Sequence, residues 1–239
     1  LSFTYDHQTG ALHAALPAAD GKAHRIAVNA GDASGNLART GLSITPSELY
    51  AAFPDTDGHW ANAAVSFLKA SGVTTGDDLG NFNPDSPITR QEFAVLLCRW
   101  LAPAQDTSSV ELPFADSADI AAWALPYVRA VFGAGLMHGK DTPDGRLLFA
   151  PRDAITREET FYVLGGTVDE TESASLDGFT DADRIAPWAA EMLQKSIAAG
   201  LISGYDDGTL RPGGQITRAE TATVVVRLLG RLYGADVKD

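Results

Sequence analysis

Apolar residues recur along most of this chain at the three-to-four-residue spacing of an amphipathic helix, interrupted at regular intervals by glycine, proline and aspartate. Tyr127, Val128, Val131 and Phe132 form one such stripe behind Trp123, and Met192, Leu193 and Ile197 form another behind Trp188. Each stripe ends at a glycine twelve residues after its tryptophan (Gly72, Gly135, Gly200), and each glycine is followed by an aliphatic residue, Val73, Leu136 or Leu201. That is the pattern of a helix stop. A loop comes next, then a second stripe: Phe93, Leu96, Leu97 and Trp100 early in the chain, Val224, Val225, Leu228 and Leu229 late. The pattern predicts three helix–loop–helix units.

The period is measurable. Trp60, Trp123 and Trp188 are 63 and 65 residues apart, and the stop glycines precede Arg90, Arg157 and Arg218 by 18, 22 and 18. The middle unit therefore carries a four-residue insertion, which falls in the Gly/Pro/Asp-rich stretch from Lys140 to Arg146 and marks a loop. We place the units at 51–103, 112–168 and 177–234, joined by polar linkers, Ala104–Val110 and Asp169–Ser175. One helix pair cannot bury its own apolar face, so the three are expected to share a core. Residues 1–50 read differently. Ser2–Asp6 and His24–Asn29 alternate, Gln8-Thr9-Gly10 resembles a turn, and Thr45-Pro46-Ser47-Glu48 resembles a capping box with proline at the first helical position. This segment is expected to be β-rich, either the end of an upstream domain or a small appendage.

One tetrad occurs in every unit: Thr89-Arg90-Gln91-Glu92, Thr156-Arg157-Glu158-Glu159 and Thr217-Arg218-Ala219-Glu220. Thr-x-x-Glu is a capping box, in which hydroxyl and carboxylate each take a backbone N–H at the helix start. The arginine stands at the first helical position, where the helix dipole disfavours a cation by roughly 0.3–1 kcal/mol. A cation kept three times at such a position points to a task outside the helix.

Composition narrows the task. A net charge of −13 argues against nucleic acid and against anionic lipid, both of which are bound by clustered Lys and Arg. No apolar run is long enough to cross a bilayer. The single cysteine, Cys98, sits in an apolar run and reads as a buried thiol. The five histidines show no metal spacing, no phosphate loop occurs, and acidic pairs such as Asp206-Asp207 sit in a recurring turn. Catalytic residues, metal ligands and cofactors are therefore not expected in this stretch.

Taken together, Phe-x-Asp (Phe53, Phe114, Phe179), then Trp-Ala, then Gly204-Tyr205-Asp206-Asp207-Gly208, then Ile-Thr-Arg-x-Glu resemble the S-layer homology domain in three tandem copies, covering about 53–232. The resemblance implies a mainly α fold, a pseudo-threefold three-pronged spindle. It also implies non-covalent anchoring of a bacterial surface protein to the cell wall, through a pyruvylated secondary cell-wall polysaccharide held in grooves between repeats. The tetrad arginines Arg90, Arg157 and Arg218 are then expected ligand contacts, joined by Asp55, Asp116, Asp181, Trp60, Trp123, Trp188, Gly76, Gly139, Ser203 and Gly204. The chemistry is consistent, because a pyruvate ketal offers a carboxylate and arginine a planar fork that matches it. The open N–H groups of a helix start favour an anion too.

Each residue also has a structural reading. The arginines could pair with Asp55, Asp116 or Asp181; the tryptophans could pack in the core; the aspartates could serve turns; the glycines could serve backbone geometry. The copies differ as well. The first unit has Asp77 and lacks the loop tyrosine, while Glu158 in the second is placed to neutralise Arg157. Unequal affinities are expected. The alternative function is a structural or assembly module that self-associates through protein contacts in a surface lattice.

Overall fold

The computed structural model describes residues 3–5, 12–14, 24–31, 37–44, 53–101, 107–168 and 172–233. The turn at Gln8-Thr9-Gly10, the box at Thr45–Glu48 and parts of both linkers lie outside these residues. Strands β1 (Phe3–Tyr5) and β2 (Leu12–Ala14) pair antiparallel, as do β3 (His24–Gly31) and β4 (Leu37–Ile44).

The remainder is mainly helical, with two helices to a unit: α1 (Asn62–Ala70) and α2 (Arg90–Leu101), α3 (Leu125–Gly133) and α4 (Arg157–Gly165), α5 (Ala190–Ala198) and α6 (Arg218–Tyr233). The first helix of each unit ends as its glycine dictates. Gly72, Gly135 and Gly200 take φ near +70°, and the two N–H groups around each glycine return to the last-turn carbonyls, as in Gly72 N to Lys69 O and Val73 N to Leu68 O. The second helix of each unit starts with a complete capping box: Thr156 N donates to Glu159 Oε2 at 3.0 Å and Glu159 N donates to Thr156 Oγ1 at 3.3 Å, with equivalents at Thr89–Glu92 and Thr217–Glu220. The four-residue insertion is more than a loop. It lengthens the turn enough for β5 (Lys140–Asp141) to pair with β6 (Leu147–Leu148).

The units interlock. Each second helix packs on the first helix of the next unit, α2 on α3 and α4 on α5, and α6 returns to α1. The isoleucine before each tetrad closes the same circuit through the backbone: Ile155 N donates to Ile88 O, Ile216 N to Ile155 O, and Ile88 N to Ile216 O, at 3.0–3.3 Å. All three isoleucines are buried. The units thus form a closed threefold ring around one shared core, in which α1 and α6 are neighbours.

Candidate functional site

The arginines extend across this ring. Arg90 of the first unit donates from Nε to Phe149 O at 2.7 Å and from Nη2 to His138 O at 2.9 Å, and its Nη1 lies 3.3 Å from Glu159 of the second unit. Arg157 reaches Leu210 O and Glu220 of the third unit, and Arg218 reaches Phe82 O and Glu92 of the first. Each tetrad glutamate therefore has two duties. One oxygen caps its own helix, and the carboxylate also takes the arginine of the preceding unit. Arg90 and Arg157 are 4% and 6% exposed, and burial pulls the Arg90 guanidinium below its ordinary value against the opposing charge of Glu159. The dipole cost at the first helical position is outweighed by these charge-assisted bonds, which contribute about 1.5–3 kcal/mol each.

Two expectations are corrected by this geometry. The arginines do not pair with Asp55, Asp116 or Asp181. Those carboxylates hold loops instead: Asp116 accepts from Phe149 N and Ala150 N, Asp55 from Phe82 N and Asn83 N, and Asp181 from Leu210 N and Arg211 N, at 2.6–2.9 Å. Each aspartate thus fixes the peptide whose carbonyl the arginine takes. Nor are the helix starts open to an anion. Arg90 N and Gln91 N donate to Asp153 O and Pro151 O, and the same pair of bonds recurs at Arg157 and Arg218. The ring itself has absorbed those donors.

Glu158 is also placed differently from expectation. It turns to the third unit and accepts from Ala186 N at 3.1 Å, as Gln91 accepts from Ala121 N, so it clamps a turn rather than neutralising Arg157. The tryptophans are not core residues. Trp60, Trp123 and Trp188 are 64%, 54% and 52% exposed, while the alanine after each (Ala61, Ala124, Ala189) is buried. The chain at each tryptophan is a turn ahead of the helix, and the inward direction there belongs to the alanine.

These features meet in grooves. One, of about 550 Å³, is lined by the first unit's loop at Gly76 and Asp77, by Glu92 of α2, by Arg218 of the third unit and by Trp123 of the second. Another, of about 560 Å³, repeats the plan one unit on, with Gly139, Lys140, Glu159, Tyr162, Arg90 and Trp188. In the third unit Arg157, Glu220 and Tyr205 hold the corresponding positions, and exposed Trp60 precedes α1, which packs on α6. Gly76 and Gly204 take φ of +77° and +78°, and a Cβ there would lie 2.5 and 2.6 Å from Phe53 and Phe179. Gly139 would meet Leu147 at 2.6 Å. These glycines let the loop lie flat on the phenylalanine of Phe-x-Asp. Ser203 is exposed beside Gly204.

One loop position decides how the grooves differ. The position after the loop glycine is Asp77, Lys140 or Tyr205. Lys140 Nζ lies 2.7 Å from Glu159 Oε1, whereas Tyr205 Oη donates to Glu220 at 2.5 Å and the guanidinium carbons of Arg157 and Arg211 lie 4.4 and 3.9 Å from its ring centroid. Burial would raise the Glu159 carboxyl, but the bonds from Lys140 and Thr156 N and the Arg90 charge hold it below its ordinary value. Burial and the bond to Glu220 push the Tyr205 phenol up. The variation from Asp77 to Tyr205 was legible in the sequence, but not that this position meets the tetrad glutamate.

A closed ring of helix pairs, with a groove of one design at successive joints, defines a repeat-built binding module. Residues 52–94, 113–161 and 178–222 each match the S-layer homology domain, and the chain belongs to that family. It is a cell-surface anchoring module, placed outside the cell at the wall. It is 30% identical over 193 residues to an endoglucanase of Bacillus sp. (strain KSM-635), covering 77% of this chain and 20% of that protein. It is 31% identical over 174 residues to the surface-layer 125 kDa protein of Lysinibacillus sphaericus (71% and 14%). It is 33% identical over 175 residues to the cellulosome-anchoring protein of Acetivibrio thermocellus (65% and 35%). The chain thus spans 14% to 35% of the length of these relatives. Among the described residues no helix is long and apolar enough to cross a membrane.

Proposed function

We propose that the chain anchors a larger surface protein by holding an acidic, pyruvate-bearing wall polysaccharide in the grooves between its repeats, within a three-pronged spindle. The observation that carries this reading is the pairing, in one groove, of a guanidinium at the base with a half-exposed indole at the edge: Arg90 with Trp188, and Arg218 with Trp123. A sugar ring can stack on the indole while its polar substituents, a carboxylate where the base has a cation to spare, meet the charged groups below. A cleft of this volume lies within the range of small-ligand sites. The aspartates and glycines contribute by holding the loop that forms the groove wall. On this reading the matched stretch is not a catalyst, and any enzyme activity of the whole protein resides in the part outside it.

The test is titration with disaccharide fragments of wall polysaccharide, with and without the pyruvate ketal. Preference for the ketal form is expected; equal binding of both forms removes the proposal. Trp188→Ala is a better probe than the arginines, because Trp188 is exposed and the arginines hold the ring together. Its expected effect is about a tenfold loss of affinity with an unchanged melting curve. A second reading, assembly by protein contact in a lattice, is favoured by the outward-facing Leu79 (85% exposed) and Phe67. Concentration-dependent sedimentation without polysaccharide would support it.

A further inference from the structure

The three joints share one backbone plan but differ in charge at the groove base, and the difference comes from the single position after the loop glycine. In the second groove two cations, Arg90 and Lys140, converge on one carboxylate, Glu159, at 3.3 and 2.7 Å. In the first, Arg218 alone faces Glu92 at 2.8 Å, and the loop adds Asp77 and Asp78. Asp77 is held as the anion by the N–H groups of Asn81 and Leu79 and by the Asn83 amide. In the third, Arg157 and a neutral phenol share Glu220, and Arg211 above the phenol is paired with Asp207 at 2.8 Å.

At the base, then, the second groove holds one cation in excess, the third is balanced, and the first faces additional carboxylates. The wider lining keeps the second groove less acidic than the first. The second groove adds Asp141, giving two cations and two anions, while the first adds Arg99, giving two cations and three anions. The second groove also has a second aromatic wall, with Tyr162 edge-on to Trp188 at 5.3 Å between ring centroids.

We propose that the grooves are specialised. The second is the site for the acidic sugar, with Lys140 as its specificity-determining residue, and the first takes an uncharged stretch of the same polysaccharide. Lys140 lines the groove with its side chain 34% exposed, and an ammonium that bonds Glu159 has further donors to offer a ligand. A ligand carboxylate arriving there meets the surplus cation and leaves the ring's Arg90–Glu159 contact intact. In the first groove the same carboxylate meets Asp77. A polymer that presents charged and uncharged residues in turn would then lie across successive grooves in one register.

This inference rests on the reading of the grooves as polysaccharide sites, and its test separates the two. The probe is a pyruvylated disaccharide fragment of wall polysaccharide and the same fragment after mild acid removal of the ketal, titrated calorimetrically into the full chain. Lys140→Met is expected to weaken the ketal form about tenfold and leave the acid-treated form unchanged. Asp77→Lys is expected to add a second binding event for the ketal form. The second variant keeps the proposal falsifiable if the first disturbs the β5–β6 turn. Ketal binding by Lys140→Met at wild-type strength, or no added site in Asp77→Lys, would overturn the specialisation while leaving groove binding in place. No discrimination by the unmodified chain between the two fragments would overturn the underlying reading instead.

Discussion

Arg157 places its guanidinium against a backbone carbonyl, a carboxylate and the face of Tyr205, all in the unit after its own. Removing it leaves Leu210 O unpaired and Glu220 without its counter-charge, held only by Tyr205 and its own cap bond. Arg157→Ala is therefore expected to cost about 3–5 kcal/mol in urea unfolding. A loss below about 1 kcal/mol would show that the pair is no more than a surface contact. Asp116→Ala leaves two loop N–H groups unpaired and is expected to cost about 1–3 kcal/mol by the same measurement. Glu159 gives the pH dependence. Its folded carboxyl lies below the ordinary 4.5, so its contribution is complete above that value and is lost as pH falls through the lower, folded value. Stability should hold from neutrality to about pH 5 and decline below. In Lys140→Met the decline should be shallower and complete at a higher pH, because the folded carboxyl moves back toward its ordinary value. That the arginine works outside its helix could be read from its place at the unfavourable end of a dipole. Its partner could not, since Glu159 is 69 residues away from Arg90 in the chain and looks, locally, like a cap only.

The helices and their ends follow from short-range chemistry, and for that reason they were the most legible features. A Thr-x-x-Glu before an apolar run and a Gly-aliphatic after one specify start and stop without reference to the rest of the molecule. The stop glycine and the loop glycine are nonetheless different. A Cβ on Gly72 meets nothing within 4 Å, so Gly72→Ala carries only the left-handed backbone cost of about 1–2 kcal/mol. On Gly204 it would lie 2.6 Å from Phe179 and 3.0 Å from Thr209 O, so Gly204→Ala should be the more damaging of the two in a thermal melt. Comparable losses would mean that the loop moves away from the phenylalanine at little cost. The tryptophans show the limit of periodicity. A helix placed one turn too early turns Trp123 inward, whereas the residues before Leu125 form a turn and present Ala124 to the core.

In the whole molecule, α6 packs on α1 and Arg218 clasps Glu92, so the last unit completes the first. Ring closure predicts a single cooperative unfolding transition for the three units. It also predicts that a chain ending before residue 177 loses cooperativity, because α1, α4 and Glu92 all lose their partners. Hydrogen exchange on the shortened chain checks this: retained protection in α1 would show that the units are stable in series. The sequence by itself determined the number of units, the glycines that stop the first helices and the boxes that start the second, because each stop and start depends on residues within one or two turns of one another. The tertiary structure alone decided what the repeated arginine, aspartate and tryptophan face. The arginines' partners belong to the neighbouring unit, the aspartates' lie 27 to 34 residues on in the same unit, and the tryptophans face solvent, none of which local spacing encodes. It also decided that three tetrads of one pattern make three unlike grooves, because the charge at each base is set by one loop residue that becomes a neighbour of the arginine only when the ring closes.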